Sequence, residues 1–143
     1  MVQARQLIVP GEFEHLTEIA TFIAAAAREA GLNDDDVFHV EMAVDEACSN
    51  IIEHAYAVYP GSIDLSCIST DPGQLQVVIR DTGRPFDPDL VPPPQVDAPP
   101  DLETLNEGGL GLYFMRKLMD EVRFEFVPGQ GNTLTMVKRS KTD

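Results

Sequence analysis

Basic residues are scarce in this chain: ten lysines and arginines stand against twenty-four aspartates and glutamates, giving a net charge of −14 over 143 residues. A surface so short of cations repels phosphate backbones, which argues against direct nucleic-acid binding and favours a partner with a basic face. Cysteine is nearly absent. Cys48 and Cys67 fall in hydrophobic stretches that read as a helix and a strand, and two such residues predict a reduced pair rather than a disulfide framework. Long apolar runs are missing too. The longest, Ile19 to Ala27, is interrupted by Thr21 and falls far short of the roughly 20 residues a membrane span needs. The opening residues MVQARQLIVPGE carry no signal-peptide core. The expectation is a soluble, cytoplasmic protein that does not engage a membrane.

What is present suits one globular unit. Hydrophobic residues make up 43% and charged residues 24%, and a domain of this size buries roughly two-thirds of its unfolded surface, enough to fold without a metal or disulfide staple. A single domain over residues 1–143 is expected.

Arg5 to Val9 reads as a short strand stopped by Pro10-Gly11. Glu12 to Ala30 carries Leu16, Ile19, Ala20, Ile23 and Ala27 at helical spacing, with Gly31 as its stop. Asn33 is placed to cap a second helix whose first turn holds Asp34, Asp35 and Asp36, where the helix dipole favours anions. That helix runs to about Tyr56 or Tyr59. Ser62 to Ser69, with Ile63, Leu65, Cys67 and Ile68 mostly on one face, and Gln74 to Arg80 form a hairpin about Asp71-Pro72-Gly73. Residues 84–107, rich in proline, lose all periodicity, and a loop of that length is functional or disordered rather than idle. Gly111 to about Asp120 reads as a third helix, and Val122 to Val127 with Thr133 to Lys138 as a closing hairpin. This order predicts an α+β fold: a two-layer α/β sandwich with helices on one face of a mixed, mainly antiparallel sheet.

Three places carry chemistry. Glu46, Asn50 and His54 recur at i, i+4 and i+8 on the second helix, away from the apolar stripe of Val37, Val40, Val44, Cys48, Ile51 and Ala55. A carboxylate one turn before a carboxamide can hold a hard cation and polarise a hydroxyl beside it; a solvated polar face gives the same pattern. Asp81-Thr82-Gly83 ends a strand, where the carboxylate can accept from an exocyclic amine such as that of adenine; the tripeptide is also ordinary turn chemistry. Glu107-Gly108-Gly109-Leu110-Gly111-Leu112 opens the third helix and exposes backbone N–H groups to an anion. No Gly-Lys-Ser/Thr follows it and no parallel βαβ unit surrounds it, so it is neither a Walker A loop nor a dinucleotide fingerprint. Alone it reads equally as a hinge.

In sequence order, Glu46-Ala-Cys-Ser-Asn50, Asp81-Thr-Gly83, Gly108-Gly-Leu-Gly111 and Gly131-Asn-Thr133 resemble the N, G1, G2 and final boxes of the superfamily that includes histidine kinases, type II topoisomerases and mismatch-repair ATPases. Within it the chain is most similar to the anti-sigma factor serine/threonine kinases of bacteria, above all in VDEACSNIIEHAY and EGGLGLYFMRKLMDEV, and the resemblance runs from about residue 5 to 138. It implies a histidine-kinase-like ATPase fold, ATP and Mg²⁺ as cofactors, and a protein serine kinase that phosphorylates a STAS-type antagonist and sequesters a sigma factor in a partner switch. A homodimer is what the family suggests.

The resemblance further implies Glu46 as the catalytic base and Asn50 as the Mg²⁺ ligand. Asp81 would bind the adenine amine, with Gly83 beside it and Thr133 supporting the base through water. Gly108, Gly109, Leu110, Gly111 and Leu112 would face the phosphates, under a lid formed by residues 84–107. His54 matches a family position and is expected to serve helix packing. The sequence departs from the pattern once. Some family members carry an arginine just before the glycine box, where this chain has Leu105, Asn106 and Glu107; Arg84 and Arg116 are the candidates to replace it. The alternative expectation is therefore a non-catalytic ATP-binding regulatory module of the same fold. A histidine kinase fragment is disfavoured, because His15 lacks the paired long helices that a phosphoacceptor hairpin needs.

Overall fold

A computed structural model describes residues 3–56, 60–90 and 109–140. Period-two alternation shapes its first hairpin, and the opening strand joins that hairpin across two intervening α-helices. β1 (Gln3–Pro10) lies antiparallel to β2 (Ser62–Ser69), from Gln3 opposite Ser69 to Pro10 opposite Ser62. A proline is tolerated there because β1 is an edge strand and Pro10 is its last residue. Ile63, Leu65, Cys67 and Ser69 are buried in turn along β2. Ile68, expected with them, faces the other way, as strict alternation requires. β3 (Gln74–Asp81) completes the hairpin.

α1 (Leu16–Glu29) follows a single 3₁₀ turn at Phe13–His15. It ends where expected. Gly31 has φ +91°, its N–H donates to the Arg28 carbonyl, and the Leu32 N–H donates to the Ala27 carbonyl, the two bonds of a Schellman stop, with Leu32 buried beneath it. α2 (Asp34–Asn50) opens with the Asn33 side chain accepting from the Asp36 N–H at 2.8 Å. It does not run on as α-helix to Tyr56 or Tyr59. From Ile51 to Ala55 the backbone widens into one π-helical turn, closed by the Tyr56 N–H on the Ile51 carbonyl at 2.9 Å.

α3 (Gly109–Leu118), β4 (Glu121–Val127) and β5 (Gly131–Arg139) complete the described elements. The sheet order is β1-β2-β3-β5-β4 and all four pairings are antiparallel. The expected sandwich is present, and its sheet is antiparallel throughout rather than mixed. The helices lie on one face. Ile19 and Ile23 of α1, Val40 and Val44 of α2 and Met115 of α3 share one core with Ile63, Leu65, Leu75, Val77, Ile79 and Met136 of the strands, each large side chain contributing about 1.5–3 kcal/mol by burial. Among the described residues no helix is long and apolar enough to cross a membrane.

At one end of this core sits a polar clamp. Asp36 in the first turn of α2 and Lys138 near the end of β5 are each only 8% exposed. Lys138 Nζ lies 3.8 Å from Asp36 Oδ1 and donates to the Leu118 carbonyl at the end of α3. His39 Nδ1 stands 3.9 Å from the same Asp36 oxygen. One ammonium thus joins the start of one helix to the end of another.

Candidate functional site

The opposite end of the core gathers the second half of α2, the last residue of β3 and the first turn of α3. Glu46 and Asn50 project one helical turn apart from α2, both half-buried. Gly111 rests directly on Glu46: a Cβ at 111 would overlap Glu46 Oε1 and Cδ and come within 2.7 Å of Cγ. Its φ is not positive, so what the glycine serves here is this close approach rather than a backbone conformation. Burial raises the Glu46 carboxyl above its ordinary range, Asp45 and Glu53 add to the shift, and Asn50 and His54 act against it. A carboxylate with a raised pKa is a better proton acceptor.

Asp81 is 5% exposed at the end of β3. Its Oδ1 accepts from the Gly83 N–H and from Asn132 Nδ2, both at 2.9 Å, and among the described residues its Oδ2 takes no hydrogen bond. Burial raises this carboxyl too, against the effect of those two donors. Gly83 passes hard against the π-helical turn. A Cβ there would collide with the Ala55 carbonyl oxygen and lie 2.6 Å from Ala55 Cβ. Arg84 staples the same junction, its N–H on the Ala55 carbonyl at 3.1 Å and its guanidinium on the His54 carbonyl at 2.9 Å. Tyr56 Oη accepts from the Thr82 N–H at 2.9 Å and donates to the Ser62 carbonyl at 2.6 Å. A pocket of about 280 Å³ opens here, lined by His54, Ala55, Tyr56, Pro60, Thr82, Gly83 and Arg84.

The final box is arranged otherwise than its sequence suggests. Gly131 starts β5 at φ +99°, against the Asp81 carbonyl. Thr133 pairs with Arg80 and shares its side of β5 with Thr135, on the sheet face opposite Asp81. Asn132 is the residue that meets Asp81. Successive strand residues alternate faces, so Thr133 and Asn132 cannot both point inward. Counting back by twos from the apolar Met136 and Leu134 would have identified Asn132. Tyr56 and the Arg84 staple carried no comparable sequence signal, since both act through backbone groups.

The glycine box is partly in view. Gly109, Leu110 and Gly111 form the first turn of α3, and Leu112 is buried in the core, so any contact it makes with an anion goes through its backbone. Gly108 and residues 91–107 of the expected lid lie outside the described residues. His54 is exposed rather than packed. Arg116 is exposed on α3, and Arg84 is committed to the π-helical turn after α2. Among the described residues no group of three or more His, Cys, Asp or Glu side chains could hold a metal by itself. Asn50 and Glu46 offer only one or two oxygen ligands, which suits Mg²⁺ held mostly by phosphates and water. The donor set therefore fits a magnesium nucleotide: a buried acceptor for an amine, a glycine cradle, and a helix N-terminus for anions.

A family profile described as histidine kinase-like ATPase domain matches residues 9–138. The curated relatives include the serine-protein kinase RsbW of Bacillus cereus (strain AH187), 31% identical over 137 residues, or 93% of this chain and 82% of the relative. RsbW of Halalkalibacterium halodurans is 31% identical over 143 residues, covering 96% and 84%. Among solved structures, the RsbU and RsbW domains of a Mycobacterium tuberculosis protein align with a TM-score of 0.68 at 17% identity, over 96% of this chain and 32% of that one. A histidine kinase domain from Erythrobacter litoralis gives 0.52 at 20% identity, over 88% and 59%. At such identities these two structures bear on the fold alone.

Proposed function

This chain belongs to the histidine kinase-like ATPase domain family, and on that premise we propose that it is an ATP-dependent protein serine kinase acting as an anti-sigma regulatory factor. Its substrate is a serine of a STAS-type antagonist protein, and its other partner is a sigma factor. The phosphorylation state of the antagonist decides which of the two it holds. The observation that carries the reading is the half-buried Glu46 carboxylate, pressed against Gly111 in the first turn of α3 and one turn before Asn50.

Each residue then has one task. Asp81 accepts the adenine amine through the oxygen that Gly83 and Asn132 leave free. The first N–H groups of α3 and its dipole face the phosphates. Asn50 supplies a side-chain oxygen toward Mg²⁺. Glu46 takes the proton of the serine hydroxyl as that oxygen attacks, the part of the reaction that a base with a raised pKa performs best. Magnesium ATP, when bound, would supply the phosphoryl group, with ADP leaving as the serine oxygen bonds to phosphorus, and the charge neutralisation that such transfer requires.

A second reading, an ATP-gated interaction module without transfer, has one observation in its favour. Arg84, one of the two candidates for the absent arginine, spends its guanidinium on the His54 carbonyl. The deciding experiment measures ATP affinity with and without Mg²⁺, then incubates the chain with labelled ATP and candidate antagonist proteins from the same organism. Serine labelling of one partner supports the kinase. Tight, Mg²⁺-dependent binding with no labelling of any partner supports the module, and no binding removes both.

A further inference from the structure

Asn132 does more than neighbour Asp81. Its Nδ2 donates to Asp81 Oδ1 at 2.9 Å and to the Arg84 carbonyl at 2.8 Å, while its Oδ1 accepts from the Phe86 N–H at 2.9 Å. The side chain is 9% exposed. Both its N–H groups and its carbonyl oxygen are committed, which fixes the amide orientation: a flipped amide would set its oxygen against a carboxylate and a carbonyl. The Arg84–Phe86 strap leaving β3 has other attachments. Arg84 bonds the π-helical turn after α2, and the Phe86 ring lies on Phe124 of β4 with centroids 4.8 Å apart. Of these attachments, the Asn132 side chain is the one that also bonds the Asp81 carboxylate.

We propose that Asn132 is a positioning residue that ties the Asp81 carboxylate to the Arg84–Phe86 strap, so that a ligand engaging Asp81 also tightens the strap. The proposal rests on the nucleotide reading of the site. The residue type is specific to the task. Serine or threonine has a single hydroxyl proton, which can serve Asp81 or the Arg84 carbonyl but not both. Aspartate would offer no N–H donor and would set a second carboxylate against the first. Coupling of this kind is reciprocal: whatever ligand binding does to the strap, the strap does to ligand affinity.

The test follows amide hydrogen exchange at Phe86 in the full chain, alone and saturated with magnesium ATP, for the wild type and for Asn132→Ser and Asn132→Thr. Wild-type Phe86 should exchange slowly and slow further by about fivefold or more on binding, the size of effect one hydrogen bond exerts. Both variants keep a hydroxyl for Asp81, so they should still bind ATP, but by reciprocity about fivefold more weakly, the factor that the strap no longer returns. Their Phe86 amide should exchange about tenfold faster and no longer respond to ATP. A residue that merely held the fold together would instead speed exchange throughout the sheet. Using two variants guards against one failing to fold. The proposal is overturned if Phe86 of either folded variant responds to ATP as in the wild type, or if wild-type Phe86 ignores bound ATP. A wild-type chain that binds no ATP would remove the nucleotide reading and the coupling with it. Phe86 exchange in the free protein would then judge only whether Asn132 holds the strap.

Discussion

Gly111→Ala separates stability from positioning at the start of α3. Gly111 has no positive φ, so an alanine there suits the helix better than glycine, by about 1 kcal/mol. Against this, the new methyl would overlap the Glu46 carboxylate and stand 2.7 Å from its Cγ. Restoring an ordinary carbon–carbon contact of about 3.5 Å moves Cγ by about 0.8 Å and swings the carboxylate further. The far end of a half-buried glutamate can yield, at a rotamer cost of about 0.5–1.5 kcal/mol. The two contributions nearly cancel. Net stability should change by no more than about 1 kcal/mol, or about 3 °C in Tm for a domain of this size. Phosphoryl transfer should not survive so well, since a reacting group displaced by about 1 Å loses on the order of 100-fold in rate. The assay pairs urea and thermal unfolding with labelling of the serine-bearing partner. In a Glu46→Gln background the same alanine should cost no further activity, because the base it displaces is already gone. Transfer within about threefold of wild type would refute the positioning argument, and a Tm loss beyond about 6 °C would show that Glu46 cannot yield.

Gly83→Ala meets the backbone of Ala55 rather than a yielding side chain, so about 2–4 kcal/mol should be lost through overlap and the broken turn; thermal unfolding near wild type would show that the turn can shift. Glu46→Gln should melt above wild type at neutral pH, because the raised Glu46 pKa means that the fold penalises the ionised form. That penalty is absent below the unfolded-state pKa, where both states are protonated, grows as pH rises, and is complete above the folded pKa; melts from acid to neutral pH should show the gain appearing in that direction, and a gain independent of pH would refute the origin. Burial pushes the thiols of Cys48 and Cys67 up to about 12, so neither should react with iodoacetamide at pH 8 in the native state, and rapid native labelling would contradict their burial. Lys138→Met leaves Asp36 buried without its nearest cation and should cost about 3–5 kcal/mol by urea denaturation; adding Asp36→Asn should restore part of the loss, and no restoration would show that the bond to the Leu118 carbonyl dominates.

Local signals in the sequence carried the local structure. Asn33 and Gly31 announce the start of α2 and the stop of α1 because capping depends on a few adjacent residues. The hairpins are legible through Asp71-Pro72-Gly73 and Pro128-Gly129, where turn chemistry and alternation agree. The insertion of β5 between β3 and β4 was not legible, because strand neighbours far apart in sequence leave no local trace. Nor was the π-helical turn at Ile51–Ala55, whose residues satisfy an α-helical pattern equally well. Glu46 and Asn50 share one face of α2, and Gly111 of the glycine box packs on Glu46. Thr133, expected beside Asp81, lies on the other sheet face because strand alternation turns Asn132 inward instead.

The clamp at Lys138 turns α3 into a lever. This helix has ten residues and is about 15 Å long at 1.5 Å per residue. Its C-terminal end is anchored by the ammonium that also grips Asp36, while among the described residues its glycine end rests on Glu46 and is held by the buried Leu112. With the fulcrum at the far end, a tilt of only about 4° carries the glycine end through about 1 Å, the displacement that costs a reaction about 100-fold. For the transfer proposed above, the ion pair a helix-length away thus joins the buried Leu112 and Met115 in resisting those few degrees of rotation.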